Sequence, residues 1–142
     1  MTLIEIINGF NEIAQKQPAI KGVIKSGNIY DLSENRNAKF STFCVTQGTH
    51  TSNIVEGYTT YNLFIYYVDR LKSDESNKLE IQSTGMEVLK NVLRTFSRNY
   101  DTEITTSDFQ VFTERFSELC AGVYATVSII AYEDNCLEDY DE

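Results

Sequence analysis

The sequence predicts an α+β domain, a mostly antiparallel sheet flanked by an N-terminal helix and a long central helix. Three observations predict it. Apolar residues recur at helical spacing near the start and again, over a broader face, from Leu79 to Tyr100. The runs "YNLFIYYVDRL" and "GVYATVSIIAY" are dense in the aromatic and β-branched residues that fill a pleated surface. Strands grouped between helices, without regular strand–helix alternation, form layers of this class.

Residues 2–16 form the first element. Thr2 and Glu5 have the T-x-x-E spacing of a capping box, and Leu3, Ile6, Ile7, Phe10, Ile13 and Ala14 define one apolar face. Pro18 closes the helix, because Gln17 before it is pushed out of helical geometry. A short strand is expected over Ile20 to Lys25, followed by a loop through Asn37. A second strand spans Lys39 to Thr46, with Phe40, Thr42 and Cys44 on one face and Phe43 and Val45 on the other. "GTHTSNIVEG", Gly48 to Gly57, reads as a polar connection with turn residues at both ends.

Tyr61 to Leu71 is the strongest strand. Tyr61, Leu63, Ile65 and Tyr67 share one face and Phe64, Tyr66 and Val68 the other, so the strand is expected to be central and covered on both sides, by the chain itself or by a neighbouring subunit. A polar joint, "DRLKSDESN", leads into a helix of about twenty residues. Asn77 and Glu80 have N-cap and N3 spacing. Leu79, Met86, Leu89, Leu93, Phe96 and Tyr100 make its stripe, widened by Ile81, Val88 and Val92. "DFQVFTERF" fits either strand or helix; strand is favoured for Phe109 to Thr113, because Thr105, Thr106 and Ser107 punctuate it. Gly122 to Tyr132 is a β-branched strand. Residues 1–133 are thus expected as one domain, and residues 134–142 as an acidic, frayed tail.

A chain of 142 residues, 42% hydrophobic and 12% aromatic, can build a core, which excludes disorder throughout. The net charge of −9, with only 12 Lys and Arg, speaks against gripping nucleic-acid phosphates. The same acidity is compatible with DNA passing nearby without being held. The start "MTLIEIINGF" shows no signal-peptide pattern, and no apolar run reaches the ~18 residues that span a bilayer. Cys44, Cys120 and Cys136 lack CxxC spacing and are expected as reduced thiols.

Chemistry is sparse. His50 is the only histidine, so a Ser-His-Asp or Cys-His arrangement would have to run through it. It sits in "QGTHTSN" without a nucleophile motif, and a surface-loop role is expected. No phosphate loop or G-x-G-x-x-G follows a strand. Asp69, Asp74 and Glu75 suggest a cation or an acidic active site, but "DRLKSDESNKLE" lacks the calcium-loop core. The same acids serve as a strand–helix joint beside a helix dipole. No enzyme activity, cofactor or metal is therefore expected.

Two surfaces suit contact with another chain. Lys90, Arg94 and Arg98, at i, i+4 and i+8, form a basic stripe that is either a solvated face or a dock for an acidic segment such as "CLEDYDE". Tyr61, Tyr66 and Tyr67 add aromatic surface on the central strand.

The run "YNLFIYYVDRLKSDESNKLEIQSTGMEVLKNVL", with "DFQVFTERFSELCAGVYATVSI" after it, resembles small neck and tail-ring proteins of tailed bacteriophages, nearest to those of crAss-like phages. The features that carry the resemblance are the aromatic strand ending in Asp69-Arg70-Leu71, the D-x-S-N joint at Asp74 to Asn77, the Ile81 helix start, and F-x-x-x-C-A-G-V from Phe116 to Val123. It covers Phe40 to Tyr132. The resemblance implies a tail-terminator-like fold and a structural subunit of the head–tail connector, found in the virion and made in the host cytoplasm. It implies a closed ring of identical copies, sixfold or twelvefold, that joins portal or adjacent neck and tail rings. DNA passes through that ring without specific binding, and no membrane is involved. No catalytic residue carries over. The alternative is a cytosolic α+β module that binds a protein or small ligand without catalysis; an enzyme built on Asp69, Asp74 and Glu75 ranks third.

Overall fold

The computed structural model describes residues 1–34, 39–100, 102–116 and 118–133. Its elements run α1 (Leu3–Gln15), β1 (Gly22–Ile24), α2 (Asp31–Glu34), β2 (Thr42–Gln47), β3 (Thr51–Asn53), β4 (Tyr58–Arg70), α3 (Lys78–Asn99), β5 (Glu103–Arg115) and β6 (Leu119–Tyr132). The expected acidic tail and Cys136 lie outside the described residues. The six-stranded sheet has the order β1-β2-β4-β6-β5, with β3 also pairing with β4. Only β1 and β2 run parallel, so the sheet is mixed and mostly antiparallel. The α+β class holds.

The α1 cap forms as its residues dictate. The backbone N–H of Glu5 donates to Thr2 Oγ1 at 3.3 Å, and Thr2 N–H donates to Glu5 Oε1 at 3.1 Å. Ile6, Phe10, Ile13 and Ala14 face inward. Phe10 stacks on Phe96 of α3 with ring centroids 4.1 Å apart, which locks the two helices together over one face of the sheet.

α3 starts at the expected place by a different device. Asn77 is the N-cap residue, yet its side chain makes no cap hydrogen bond. It turns back to the end of β4, accepting from Lys72 N–H at 2.9 Å and donating to Arg70 O at 3.1 Å. The amide has both a donor and an acceptor, and it uses them to hold the strand–helix joint. Leu79, expected in the apolar stripe, is 78% exposed. It lies two residues from buried Ile81, which on a 3.6-residue turn is nearly the opposite side. Gly85 lets the helix approach the sheet: a Cβ there would come within 2.6 Å of Val123 Cγ1 and 2.7 Å of Tyr67 Cδ1.

β4 occupies the centre, as its double-faced pattern demands. Leu63, Ile65 and Tyr67 enter the main core beneath α1 and α3, with Phe43, Val45, Val123, Ala125, Val127 and Ile129 from neighbouring strands. Several boundaries differ from expectation. The loop after β1 contains α2, seated through Ile29 and Leu32 on a smaller cluster with Cys44, Val68, Phe116 and Cys120 on the opposite face. The supposed polar connection contains β3, which forms a hairpin with the start of β4; Gly57 supplies its positive φ of 74°. β5 is a 13-residue strand, far longer than Phe109 to Thr113, and a bulge between Thr106 and Phe109 absorbs the polar residues that looked like punctuation.

Candidate functional site

The joint acids do not form one site. Asp69 sits at the end of β4, partly buried, and its carboxylate accepts from Arg70 N–H at 2.8 Å. Burial raises its carboxyl above the usual range, against the lowering by Arg70. Asp74 is exposed and accepts from Ser76 N–H at 3.0 Å, a bond that lowers its pKa. Glu75, at φ 57°, pairs with Lys78 Nζ at 2.9 Å. Among the described residues no three His, Cys, Asp or Glu side chains converge as a metal site.

His50 is tied into the sheet. Its Nδ1 accepts from the backbone N–H of Asn62 at 3.2 Å, so the proton sits on Nε2, which donates to Gln47 Oε1 at 3.1 Å. Its ring meets Tyr61 edge-on at 5.4 Å. Cys44 and Cys120 are both fully buried, and burial pushes each thiol up to about 12. Neither is a nucleophile at neutral pH.

The two faces of the sheet are unequal. The helices cover the face that carries Leu63, Ile65 and Tyr67. Among the described residues, the opposite face is covered at one end, by Ile29 and Leu32. Beyond that cover, Phe64, Tyr66, Phe112 and Tyr124 form a partly exposed aromatic cluster. Tyr124 lies 5.2 Å from Tyr66 and 6.2 Å from both Phe64 and Phe112 by ring centroids. Register brings these rings together: Tyr66 pairs with Tyr124, and Phe112 lies beside Gly122, where any Cβ would strike Tyr67 O and the Phe112 ring. With Tyr30 and Phe116 they line a groove of about 260 Å³.

The three tyrosines singled out in the sequence are therefore divided. Tyr66 belongs to this open cluster. Tyr67, 3% exposed, is core and has no surface to offer, and Tyr61 lies on the helix side against His50. Phe64, Phe112 and Tyr124 were not singled out; the alternation in "NLFIYY" put Phe64 beside Tyr66, but only the strand register adds the other two.

Lys90, Arg94 and Arg98 lie along α3. Arg94 and Arg98 are exposed, and among the described residues neither has an acidic partner; Arg94 donates to Asn91 Oδ1 at 3.1 Å. Lys90 pairs with Glu87 at 3.4 Å. A larger groove of about 510 Å³ runs beside β1 and α2, with Ile20, Val23 and Leu32 in its lining and Lys21, Lys25 and Asp31 among its polar groups. No protein-family model matches this chain, and no curated protein matches it. No helix among the described residues is long and apolar enough to cross a membrane.

Proposed function

We propose that the chain is a structural subunit of the head–tail connector of a tailed bacteriophage. It forms a closed ring in the virion neck or tail and extends the DNA channel between portal and tail. The observation that carries this reading is the sheet face where Phe64, Tyr66, Phe112 and Tyr124 are partly exposed among the described residues. An aromatic patch that the described residues leave partly exposed is suited to a neighbour, and a ring needs a heterologous contact that closes. The resemblance of Phe40 to Tyr132 to neck and tail-ring proteins supports a tail-terminator-like arrangement. The exposed Arg94 and Arg98, with Lys90, offer a second surface for a portal or an adjacent ring. Net charge −9 favours a lumen along which phosphates slide.

Negative-stain microscopy and light scattering of concentrated protein test the proposal. Rings are the expected result, and a monomer at every concentration overturns self-assembly by the chain alone. Retention of duplex DNA by the rings at physiological salt would overturn the passive channel. The groove of about 510 Å³ favours a second reading, a ligand-binding module, because it lies within the ~300–1,000 Å³ of small-molecule sites. A ligand that raised the melting temperature and was lost in Lys21→Ala would favour that module.

A further inference from the structure

The β3–β4 hairpin carries the two most exposed large hydrophobic side chains among the described residues, Ile54 at 79% and Val55 at 96%. A pair of branched aliphatics held in water at a loop tip contributes nothing to the fold that bears it. The tip is nonetheless well built. Gly57 N–H donates to Asn53 O at 2.9 Å, Glu56 N–H to Asn53 Oδ1 at 2.9 Å, and Glu133 N–H to Gly57 O at 2.7 Å. Ser52 and Thr59 hydroxyls bond across the hairpin at 2.8 Å, and Tyr58 packs near Tyr132 at 5.9 Å. A knob fixed in this way loses little conformational freedom on docking.

The described residues also form an aromatic groove, lined by Tyr30, Phe64, Tyr66, Phe112, Phe116 and Tyr124. At about 260 Å³ it lies at the small end of ligand pockets, a size that suits one or two aliphatic side chains. Knob and groove cannot meet within one copy. Tyr58, at the base of the hairpin, and Tyr66, in the groove, are eight residues apart on one extended strand, a separation of roughly 25 Å.

We infer that Ile54 and Val55 of one copy dock into the aromatic groove of the next. The inference rests on the ring-subunit reading and names the contact that would build the ring: a heterologous patch-to-patch joint repeated from copy to copy. The contact joins aliphatic to aromatic side chains in a chain of net charge −9, and docking would bring Glu56, beside the knob, towards Glu114 in the groove wall. Charge therefore opposes the joint, and salt that screens it strengthens association.

Light scattering of the wild-type chain and an Ile54→Ser/Val55→Ser variant, each at low and high salt, reads the contact. Both residues are exposed, so the variant folds. Wild-type association is expected to strengthen with salt and to weaken at least about tenfold in the variant. In a Cys136→Ser background, Val55→Cys protein mixed with Tyr30→Cys protein and mildly oxidised is expected to give a disulfide between the two chains, identified by peptide mapping. Rings that persist in the serine variant overturn this contact and leave the ring reading standing. Association that weakens with salt overturns it in favour of the basic stripe. Open filaments bearing the cross-link support the contact and overturn ring closure, and a wild-type monomer under all conditions overturns both.

Discussion

The backbone N–H of Asn62 donates to Nδ1 of His50 at 3.2 Å, so a side chain completes a ladder that the backbone leaves open. β2 and β3 both pair with the same edge of β4 and are separated by Gly48, Thr49 and His50. Across that break Asn62 O accepts from Gly48 N–H at 2.8 Å, Asn62 Nδ2 donates to Thr49 O at 2.6 Å, and Ser128 Oγ donates to Asn62 Oδ1 at 2.7 Å. The only histidine in the chain is a splice between two strands, and its ring is committed at both nitrogens.

Replacing it tests that role. His50→Ala leaves the Asn62 N–H without its partner in a partly buried setting, and the expected cost is about 1 kcal/mol. Urea denaturation should show a lower midpoint at unchanged slope, with the fold retained by circular dichroism. A midpoint equal to that of the wild type would remove the splice.

Gly85→Ala brings two opposed effects into one measurement. Alanine improves helix propensity by about 0.8–1 kcal/mol. Its methyl would also sit 2.6 Å from Val123 Cγ1 and 2.7 Å from Tyr67 Cδ1, and overpacking of a filled core costs about 1–3 kcal/mol. The clash is with an aromatic ring buried at 3% exposure, which has little room to give, so steric cost wins. A melting temperature below that of the wild type is the expected outcome, and a rise would mean that α3 can lift from the sheet freely.

Asn11 offers the opposite sign. It is buried in α1, and among the described residues its Oδ1 has no hydrogen-bond partner. Leucine at that position removes an unsatisfied acceptor and replaces a poor helix former with a good one. Asn11→Leu should stabilise the protein by about 1 kcal/mol in denaturant titration. Loss of stability would mean that this amide has a partner in solution or that leucine overfills the site.

The contrast between these sites and the sequence is physical. The capping box of α1, the centrality of β4 and the span of α3 were legible because local residue types determine them: a hydroxyl three residues before a carboxylate, and a strand apolar on both faces. β3 was hidden because "TSN" is polar and three residues long, and it becomes a strand only through its partner Tyr58 to Thr60. α2 was hidden for a like reason; Ile29 and Leu32 matter only once the far face of the sheet exists for them to cover. The aromatic groove combines residues from positions 30 to 124, so no spacing rule could assemble it. Asn77 misled because its amide satisfies the strand end in place of the helix start, a choice that local sequence does not reveal.

The joint acids give the last prediction, because the carboxyls of two residues that looked like one cluster are shifted in opposite directions. Burial raises the Asp69 carboxyl in the folded chain above its ordinary value of 3.8. A raised folded value means that its favourable contribution is complete below the unfolded carboxylate range and is lost as pH climbs through the folded value. At neutral pH the ionised Asp69 therefore weakens the fold, and Asp69→Asn, which keeps an acceptor for Arg70 N–H, should melt higher than the wild type there. The difference should vanish below the ordinary carboxylate range. Asp74 behaves in reverse: hydrogen bonds from Ser76 lower its carboxyl, so its contribution is present at neutral pH and fades as pH falls through the lowered value. Asp74→Ala should melt lower at neutral pH, with the deficit closing in acid. Melting curves of both variants across pH separate a strand–helix joint from a shared acidic site. Acids that share a cation or a proton would show coupled titrations, and a cation that raised the melting temperature through both residues together would restore the site.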